Sequence, residues 1–278
     1  MPAQLRSMPI LFAGALLLAL GTAPATGAQM AQGSGDAHAG AIAYKRYCVG
    51  CHGPEGDGRG ENAQWIDPKP RDFTAATFKC RSTPTGALPT DSDLEQTITR
   101  GLVKTNMPSW RPLTQATREN LIAYIKTFSP KWHTEPPGKP ITIPAETPLT
   151  ASSILHGRQV FQKMECWKCH GPAGHGDGPS ASTLVDSKDA PIRPYDFSSG
   201  TRFKCGSTNM DLYRIFMTGL DGTPMMSHAD QLSPSDAWDL VHFLRTLQPI
   251  QSPEAAIWEP YRRTHAAELP PIGAVVTP

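Results

Sequence analysis

The chain has 278 residues, with 26 Lys and Arg against 25 Asp and Glu, and 39% of its residues are hydrophobic. This length allows one or two domains, each large enough to bury a core. The balanced charge and the lack of a concentrated basic patch argue against a nucleic-acid partner.

Residues 1–28 are predicted to be a secretory signal peptide. Arg6 gives a positive start, residues 10–20 form an apolar run, and small residues at 23–28 offer a cleavage site. The run is short for a membrane span, so we expect no stable span after cleavage, with an uncleaved anchor as the alternative. Cleavage would remove only Arg6 among the charged residues, leaving 25 basic and 25 acidic side chains.

A predicted helix over 37–47 leads directly into the pentapeptide Cys48-Val49-Gly50-Cys51-His52. Two cysteines three positions apart can each form a thioether to one of the two vinyl groups of a porphyrin. The histidine that follows them can then bind the iron, and C-x-x-C-H is therefore the attachment signature of haem c. The pattern predicts covalent haem at Cys48 and Cys51 and an iron ligand at His52.

The rest of the first unit is predicted to hold two further helices. Thr90 can cap a helix over 91–99, and Thr114 begins another with an apolar stripe through Tyr124. Met107 lies in the loop between them and is the first unit's only methionine after the haem motif. A thioether is a soft iron ligand that raises the reduction potential. Met107 is thus the predicted sixth ligand, because His133 lies in the following linker.

A proline-rich stretch over 131–151 is predicted to be an extended, semi-rigid linker. The motifs of the first unit then recur in the same order, and the second C-x-x-C-H motif lies 118 residues after the first. This motif predicts covalent haem at Cys166 and Cys169 and an iron ligand at His170. We therefore expect two haem domains, at 29–130 and 152–250, and a C-terminal tail over 251–278.

The sixth ligand of the second unit has more than one candidate. Met225 aligns with Met107 at the same offset of 118 residues, and Met226 is its main rival. Three histidines are also available, although surface or internally bonded roles are expected for them: His175, His228 and His242. Alignment favours Met225.

The two halves together resemble the tandem dihaem class I cytochromes c of bacterial respiratory chains. The specific segments are the two C-x-x-C-H-G-P runs, residues 69–73, and residues 100–102 followed by 107–108. The resemblance implies an all-α fold with two tandem class I cytochrome c domains, a histidine and a methionine on each iron, and transfer of single electrons. It also makes Arg71 and Arg193 candidates to neutralise haem propionates.

Two further cysteines, Cys80 and Cys205, occupy equivalent places in the repeat, within Phe-Lys-Cys. Free thiols are unusual in an oxidising compartment, so one hypothesis is a disulfide that joins the two domains. Two buried free thiols are the structural alternative. A third hypothesis is that one thiolate binds an iron in a dihaem enzyme that oxidises thiosulfate-like compounds.

The sequence thus predicts a bacterial periplasmic electron carrier with two covalently bound haem c groups, acting between redox partner proteins. Periplasmic export fits the haem motifs, because bacteria attach haem c after the polypeptide crosses the inner membrane. A further alternative is an electron-transfer subunit held in a larger oxidoreductase complex.

Overall fold

The computed structural model describes Met1 and residues 35–200, 202–249 and 252–273. Apart from Met1, the predicted signal peptide lies outside this part of the chain. Ten α-helices and four short 3-10 helices make up its regular structure, and its only β-bridge joins Val185 to Pro191. The predicted all-α class is confirmed. No helix in the described part is both long and apolar enough to cross a membrane.

Each half contains a short helix at its C-x-x-C-H motif and three longer helices. The helices of the first half are α1 (Ala37–Tyr47), α2 (Val49–His52), α3 (Asp91–Arg100) and α4 (Gln115–Lys126), followed by the short α5 (Lys131–Thr134). The second half has α6 (Ala151–Lys163), α7 (Trp167–His170), α8 (Asn209–Thr218) and α9 (Pro234–Thr246), and α10 (Pro253–Thr264) follows.

The first and last long helices of each half cross at a glycine. A Cβ on Gly40 would lie 2.0 Å from the Asn120 carbonyl oxygen, and one on Gly157 would lie 1.8 Å from that of Asp239. These distances are far shorter than van der Waals contact, so only glycine allows α1 to approach α4, and α6 to approach α9, this closely.

Aromatic rings fill the space beside both helix crossings. Tyr44 packs on Tyr124 at a centroid distance of 5.2 Å, and Phe161 packs on Phe243 at 5.5 Å. Each half therefore encloses its own apolar core.

The helices α3 and α8 begin and end in the same way. Thr90 with Asp93, and Thr208 with Asp211, form capping boxes in which side chain and backbone bond reciprocally. Both helices end at a glycine of positive φ, at 68° for Gly101 and 66° for Gly219. The chain then turns into the loops that hold Met107 and Met225.

The segment predicted as an extended linker is only partly extended. It begins with helix α5, where Trp132 packs against the first core. Beyond the helix, the backbone N–H of Ile141 donates to the Ser82 carbonyl, and Ile143 packs against the second core. The apolar side chains between the prolines explain why this segment is fixed along both halves.

The first part of the predicted C-terminal tail, residues 251–278, contains a helix that packs on the second half. Ser252 caps α10, and Pro253 occupies the first turn of that helix. Trp258 is 6% exposed and belongs to the second core, and α10 contacts both α6 and α9. Burial of this apolar side of α10 holds the helix on the second half.

Contacts between the halves centre on Cys80 and Cys205, which form a disulfide with Cα atoms 5.1 Å apart. Next to the disulfide, the fully buried Arg81 guanidinium donates to the Thr218 carbonyl at 2.6 Å and to the Asp221 carboxylate at 2.7 Å. The other Asp221 oxygen accepts from the Gly86 backbone N–H at 3.0 Å. A covalent bond and a buried ion pair therefore join the two halves.

Candidate haem sites

The histidine of each C-x-x-C-H motif is oriented by one backbone carbonyl. His52 Nδ1 lies 2.9 Å from the Arg71 carbonyl oxygen, and His170 Nδ1 lies 3.0 Å from that of Tyr195. Since a carbonyl only accepts hydrogen bonds, each Nδ1 carries the proton and donates it. The other ring nitrogen, Nε2, then has its lone pair available for a metal, which is the usual arrangement of a metal-binding histidine.

Aromatic rings further fix both imidazoles. Phe73 stacks on His52 at 4.5 Å with an interplanar angle of 17°, and Phe197 packs on His170 at 4.9 Å. Burial lowers the pKa of His52 and of His170 from the ordinary value, although the backbone hydrogen bonds act in the opposite direction. Both rings are thus held in the neutral form that binds metals.

The cysteines of the two motifs are unpaired thiols that lie partly buried. Burial raises the pKa of Cys48 and of Cys166 to about 12. A redox-active C-x-x-C pair needs the opposite, a lowered thiol pKa that provides a thiolate. The surroundings of these two cysteines therefore disfavour thiol–disulfide exchange.

Met107 and Met225 lie in loops with the same hydrogen bonds. Leu102 N–H donates to the Met107 carbonyl at 3.1 Å, and Leu220 N–H donates to the Met225 carbonyl at 2.8 Å. In both loops a threonine two positions before the methionine accepts from the methionine N–H, at 3.1 Å for Thr105 and 3.2 Å for Thr223. The repeat thus presents the two methionines in the same way.

A cavity of about 1920 Å³ brings together the second set of predicted haem residues. Its wall includes Cys166, Cys169, His170 and Met225, together with the buried apolar side chains Phe203, Leu240 and Leu244. Two thiols, an imidazole and a thioether around an apolar space suit a covalently attached haem. The cavity also extends to the first half, along its 57–60 and 67–72 segments.

The other candidate ligands of the second half have different surroundings. Met226 is 62% exposed, whereas Met225 packs against the second core. His242 is fully buried, and both its ring nitrogens are engaged, with Ser153 at 2.9 Å and Glu146 at 3.1 Å. Nδ1 of His175 is hydrogen-bonded to the Ser198 hydroxyl, and Nδ1 of His228 is hydrogen-bonded to the Gln231 side-chain oxygen.

Comparison with known proteins agrees with this geometry. A family model described as "Cytochrome c" matches residues 154–248, and one described as "Cytochrome C oxidase, cbb3-type, subunit III" matches residues 35–125. A solved chain from the Kuenenia stuttgartiensis reducing HAO-like protein complex Kustc0457/Kustc0458 is 42% identical, with a TM-score of 0.73. The match covers 76% of the present chain and 96% of that chain. This chain belongs to the cytochrome c family. No curated protein sequence gives a significant match.

The disulfide removes one hypothesis for the chemistry of this cytochrome. The sulfur atoms of Cys80 and Cys205 are bonded to each other, so neither cysteine provides a free thiolate for an iron. Within the described residues, no group of three or more His, Cys, Asp or Glu side chains could hold a separate metal ion.

Sequence reasoning missed the partners of the two proximal histidines. The carbonyls of Arg71 and Tyr195 occupy equivalent positions, which makes Tyr195, and not Arg193, the structural counterpart of Arg71. The repeated Asp-Phe that follows each residue was the available signal, at 72–73 and 196–197. Every residue has a main-chain carbonyl, whatever its side chain. The repeated Asp-Phe therefore marks the two equivalent positions but does not show that their carbonyls bond the histidines.

Proposed function

We propose that this cytochrome carries two covalently bound haem c groups and transfers single electrons between redox partner proteins in the bacterial periplasm. The supporting observation is the repeated arrangement of histidine and methionine. In both halves a backbone carbonyl engages Nδ1 of the motif histidine, and an identically bonded loop presents a methionine. The signal-peptide pattern supports export.

In this proposal each group of side chains has a defined role. The thiols that would form thioethers are Cys48 and Cys51 in the first half and Cys166 and Cys169 in the second. His52 with Met107, and His170 with Met225, would hold the two irons. A haem held there supplies a reversible one-electron couple. The thioether of each methionine would raise the potential, and the apolar wall of the second site would exclude water.

Haem counting and spectroscopy test the proposal. The protein should be produced with a bacterial haem c maturation system, and its haem measured as the pyridine haemochrome. We expect two haems per chain, and an EPR spectrum of the oxidised protein with two low-spin histidine–methionine signals. One haem per chain, or a high-spin signal, would contradict it. The variant His170→Ala should lose one of the two signals and retain the other.

A second candidate function is electron transfer from a fixed position in a larger oxidoreductase. The similar Kuenenia stuttgartiensis chain comes from a complex of two named proteins, and this likeness motivates the hypothesis. Size-exclusion chromatography of the protein from its native cells separates the two functions. A free carrier should elute at the mass of one chain with two haems, whereas a fixed subunit should elute with a second protein.

A further inference from the structure

The two loops that present Met107 and Met225 each contact the opposite half of the molecule. These methionine loops span residues 102–107 and 220–225, and each is closed by a backbone hydrogen bond between its first and last residues. Besides the bonds inside each loop, side chains connect both loops to the other half.

The second methionine loop is held by the first half at its start. The two carboxylate oxygens of Asp221, inside this loop, accept from the Arg81 guanidinium at 2.7 Å and from the Gly86 backbone N–H at 3.0 Å. The carbonyl of Thr218, just before the loop, accepts from Arg81 at 2.6 Å and from the Thr85 hydroxyl at 2.9 Å. The Arg81 side chain is fully buried. Four hydrogen bonds from the first half therefore fix this position.

The first methionine loop is held by the second half through Lys104. The Lys104 ammonium donates to the Ser199 hydroxyl and lies 4.4 Å from the ring centre of Tyr195. Lys104 has a positive φ of 57°, whereas its counterpart 118 residues later is Gly222, with a φ of 78°. Residues other than glycine rarely adopt this left-handed conformation, because it is unfavourable for them. The hydrogen bond and the cation–π contact with the second half account for a lysine at this position.

The chain after each methionine is bonded to its own half instead. The Trp110 N–H donates to the Ile98 carbonyl at 3.0 Å, and the His228 N–H donates to the Phe216 carbonyl at 2.8 Å. Each methionine therefore lies between a support from the opposite half, which precedes it, and a support from its own half, which follows it.

We propose that each half positions the methionine ligand of the haem in the other half. Arg81 of the first half is the positioning residue for Met225. Lys104 is the residue through which the second half positions Met107. This inference rests on the proposed function, because it requires methionines that bind iron. A methionine leaves its iron only when its loop moves, so loss of the support from the opposite half raises the fraction of open iron.

The test is an imidazole titration of the oxidised full-length protein with both haems attached. Added imidazole binds only an iron that its methionine has left, so the apparent affinity is proportional to the open fraction. The double variant Arg81→Met/Asp221→Leu replaces both partners of the buried pair and leaves no unpaired buried charge. We expect about tenfold tighter imidazole binding at the second haem and unchanged binding at the first. Met225→Ala, which removes the second methionine, identifies the second haem.

The first haem is tested with Lys104. Lys104→Met keeps the length of the side chain and removes its charge, and we expect about threefold tighter imidazole binding at the first haem alone. Lys104→Arg keeps a cation that can lie on the Tyr195 ring and should bind imidazole like the wild type. Lys188→Met is the matched control, because Lys188 also reaches the opposite half, pairing with Asp72 at 2.9 Å, but lies outside both methionine loops. It should match the wild type at both haems.

Haem content and the EPR spectrum separate failure of this inference from failure of the proposed function. A wild type with fewer than two haems, or without histidine–methionine signals, contradicts the proposed function. If the wild type has both, wild-type imidazole binding in the double variant and in Lys104→Met overturns positioning across the halves. Equal gains at both haems in each variant would show a general loosening of the fold and overturn it as well.

A milder variant covers the case in which the double variant binds fewer than two haems. Thr85→Val removes only the hydrogen bond to the Thr218 carbonyl, and the Thr85 side chain is exposed. We expect about threefold tighter imidazole binding at the second haem alone. Unchanged binding there would overturn the role of the first half in positioning Met225.

Discussion

At the residue scale, the two adjacent methionines of the second half show how surroundings distinguish identical side chains. Met225 packs against the second core and lies in a loop bonded like that of Met107. Met226 is 62% exposed. A thioether can serve as an axial ligand only where the fold holds it against the iron, so the two positions should respond differently to substitution.

We expect Met225→Ala to lower the potential of one haem by on the order of 0.1 V, within the ~0.8 V range that axial ligands span. Loss of the sulfur also leaves that iron open, so a high-spin EPR signal should appear. Met226→Ala is the matched control and should leave both potentials and the spectrum unchanged. If Met226→Ala produced the high-spin signal instead, Met226 would be the ligand.

The sequence was sufficient to nominate the candidate haem ligands that would bind through their side chains. The C-x-x-C-H spacing identifies Cys48 and His52, and the repeat offset identifies Met225. The lowered pKa of Lys79 and of Lys204 could not be recognised in this way, because it arises only when the fold partly buries a lysine beside other cations. Burial depends on how the halves meet, which the local pattern does not contain.

At the scale of helices, the Thr90 cap of α3 was predicted from the sequence, whereas α10 was not. Thr90 and Thr208 precede acidic residues three positions later, which is a local signal of a helix start. Ser252-Pro253 gives a comparable signal for the start of α10. However, Pro260 inside that helix and the charged residues around it interrupt the hydrophobic pattern from which a helix would be predicted. Packing of Trp258 against the second core stabilises this helix.

Truncation of Trp258 should therefore destabilise the protein. Trp258→Ala removes a large side chain that is only 6% exposed, and such substitutions cost about 3–5 kcal/mol. The free energy of unfolding, measured by denaturant titration, gives the result. Arg263→Ala on the same helix removes an exposed side chain and should change it by less than about 0.5 kcal/mol. Equal effects of both substitutions would show that α10 does not contribute to the second core.

The cap of α8 should make stability depend on pH. Burial alone would raise the pKa of Asp211, but hydrogen bonds from Thr208 and the ion pair with Arg214 outweigh it and lower that pKa. A carboxylate with a lowered folded-state pKa contributes stability above its unfolded pKa of about 3.9, and the contribution is lost as pH falls through the folded-state value.

We expect the wild type to lose stability below about pH 4 more steeply than Asp211→Asn, which cannot titrate. Unfolding curves between neutral and acid pH measure the difference. Parallel acid limbs in the two proteins would show that Asp211 does not contribute to this loss.

At the scale of the whole molecule, two copies of one unit are joined by an interface that is only partly symmetric. The disulfide links equivalent residues, but the residue after each cysteine differs. Arg81 extends into the second half and pairs with Asp221. Its counterpart is Gly206, where a Cβ would lie 2.4 Å from the Asp211 carboxyl group. The second half therefore contributes the carboxylate of the buried ion pair, and its position equivalent to Arg81 has no room for a cationic side chain.

Removal of the disulfide should weaken the whole assembly. The cysteines are 125 residues apart, and the chain-entropy estimate for a loop of this size is about 5 kcal/mol. We expect the Cys80→Ser/Cys205→Ser double variant to lose about this much free energy of unfolding while keeping its haem content. A wild-type value measured after reduction with a thiol should match the variant. Unchanged stability in both experiments would contradict a structural role of the disulfide.

The hydrogen bonds that orient His52 and His170 have a consequence for how the two halves could diverge after duplication. Both bonds come from the main chain, at Arg71 in one copy and Tyr195 in the other. Because the carbonyl makes the contact, the orientation of the imidazole survives replacement of the side chain. One copy has a guanidinium at this position, and the other has a phenol ring whose centre lies 4.4 Å from the Lys104 ammonium. Positions 71 and 195 are thus places where mutation, natural or engineered, can give two related haem sites different electronic environments without disturbing either iron ligand.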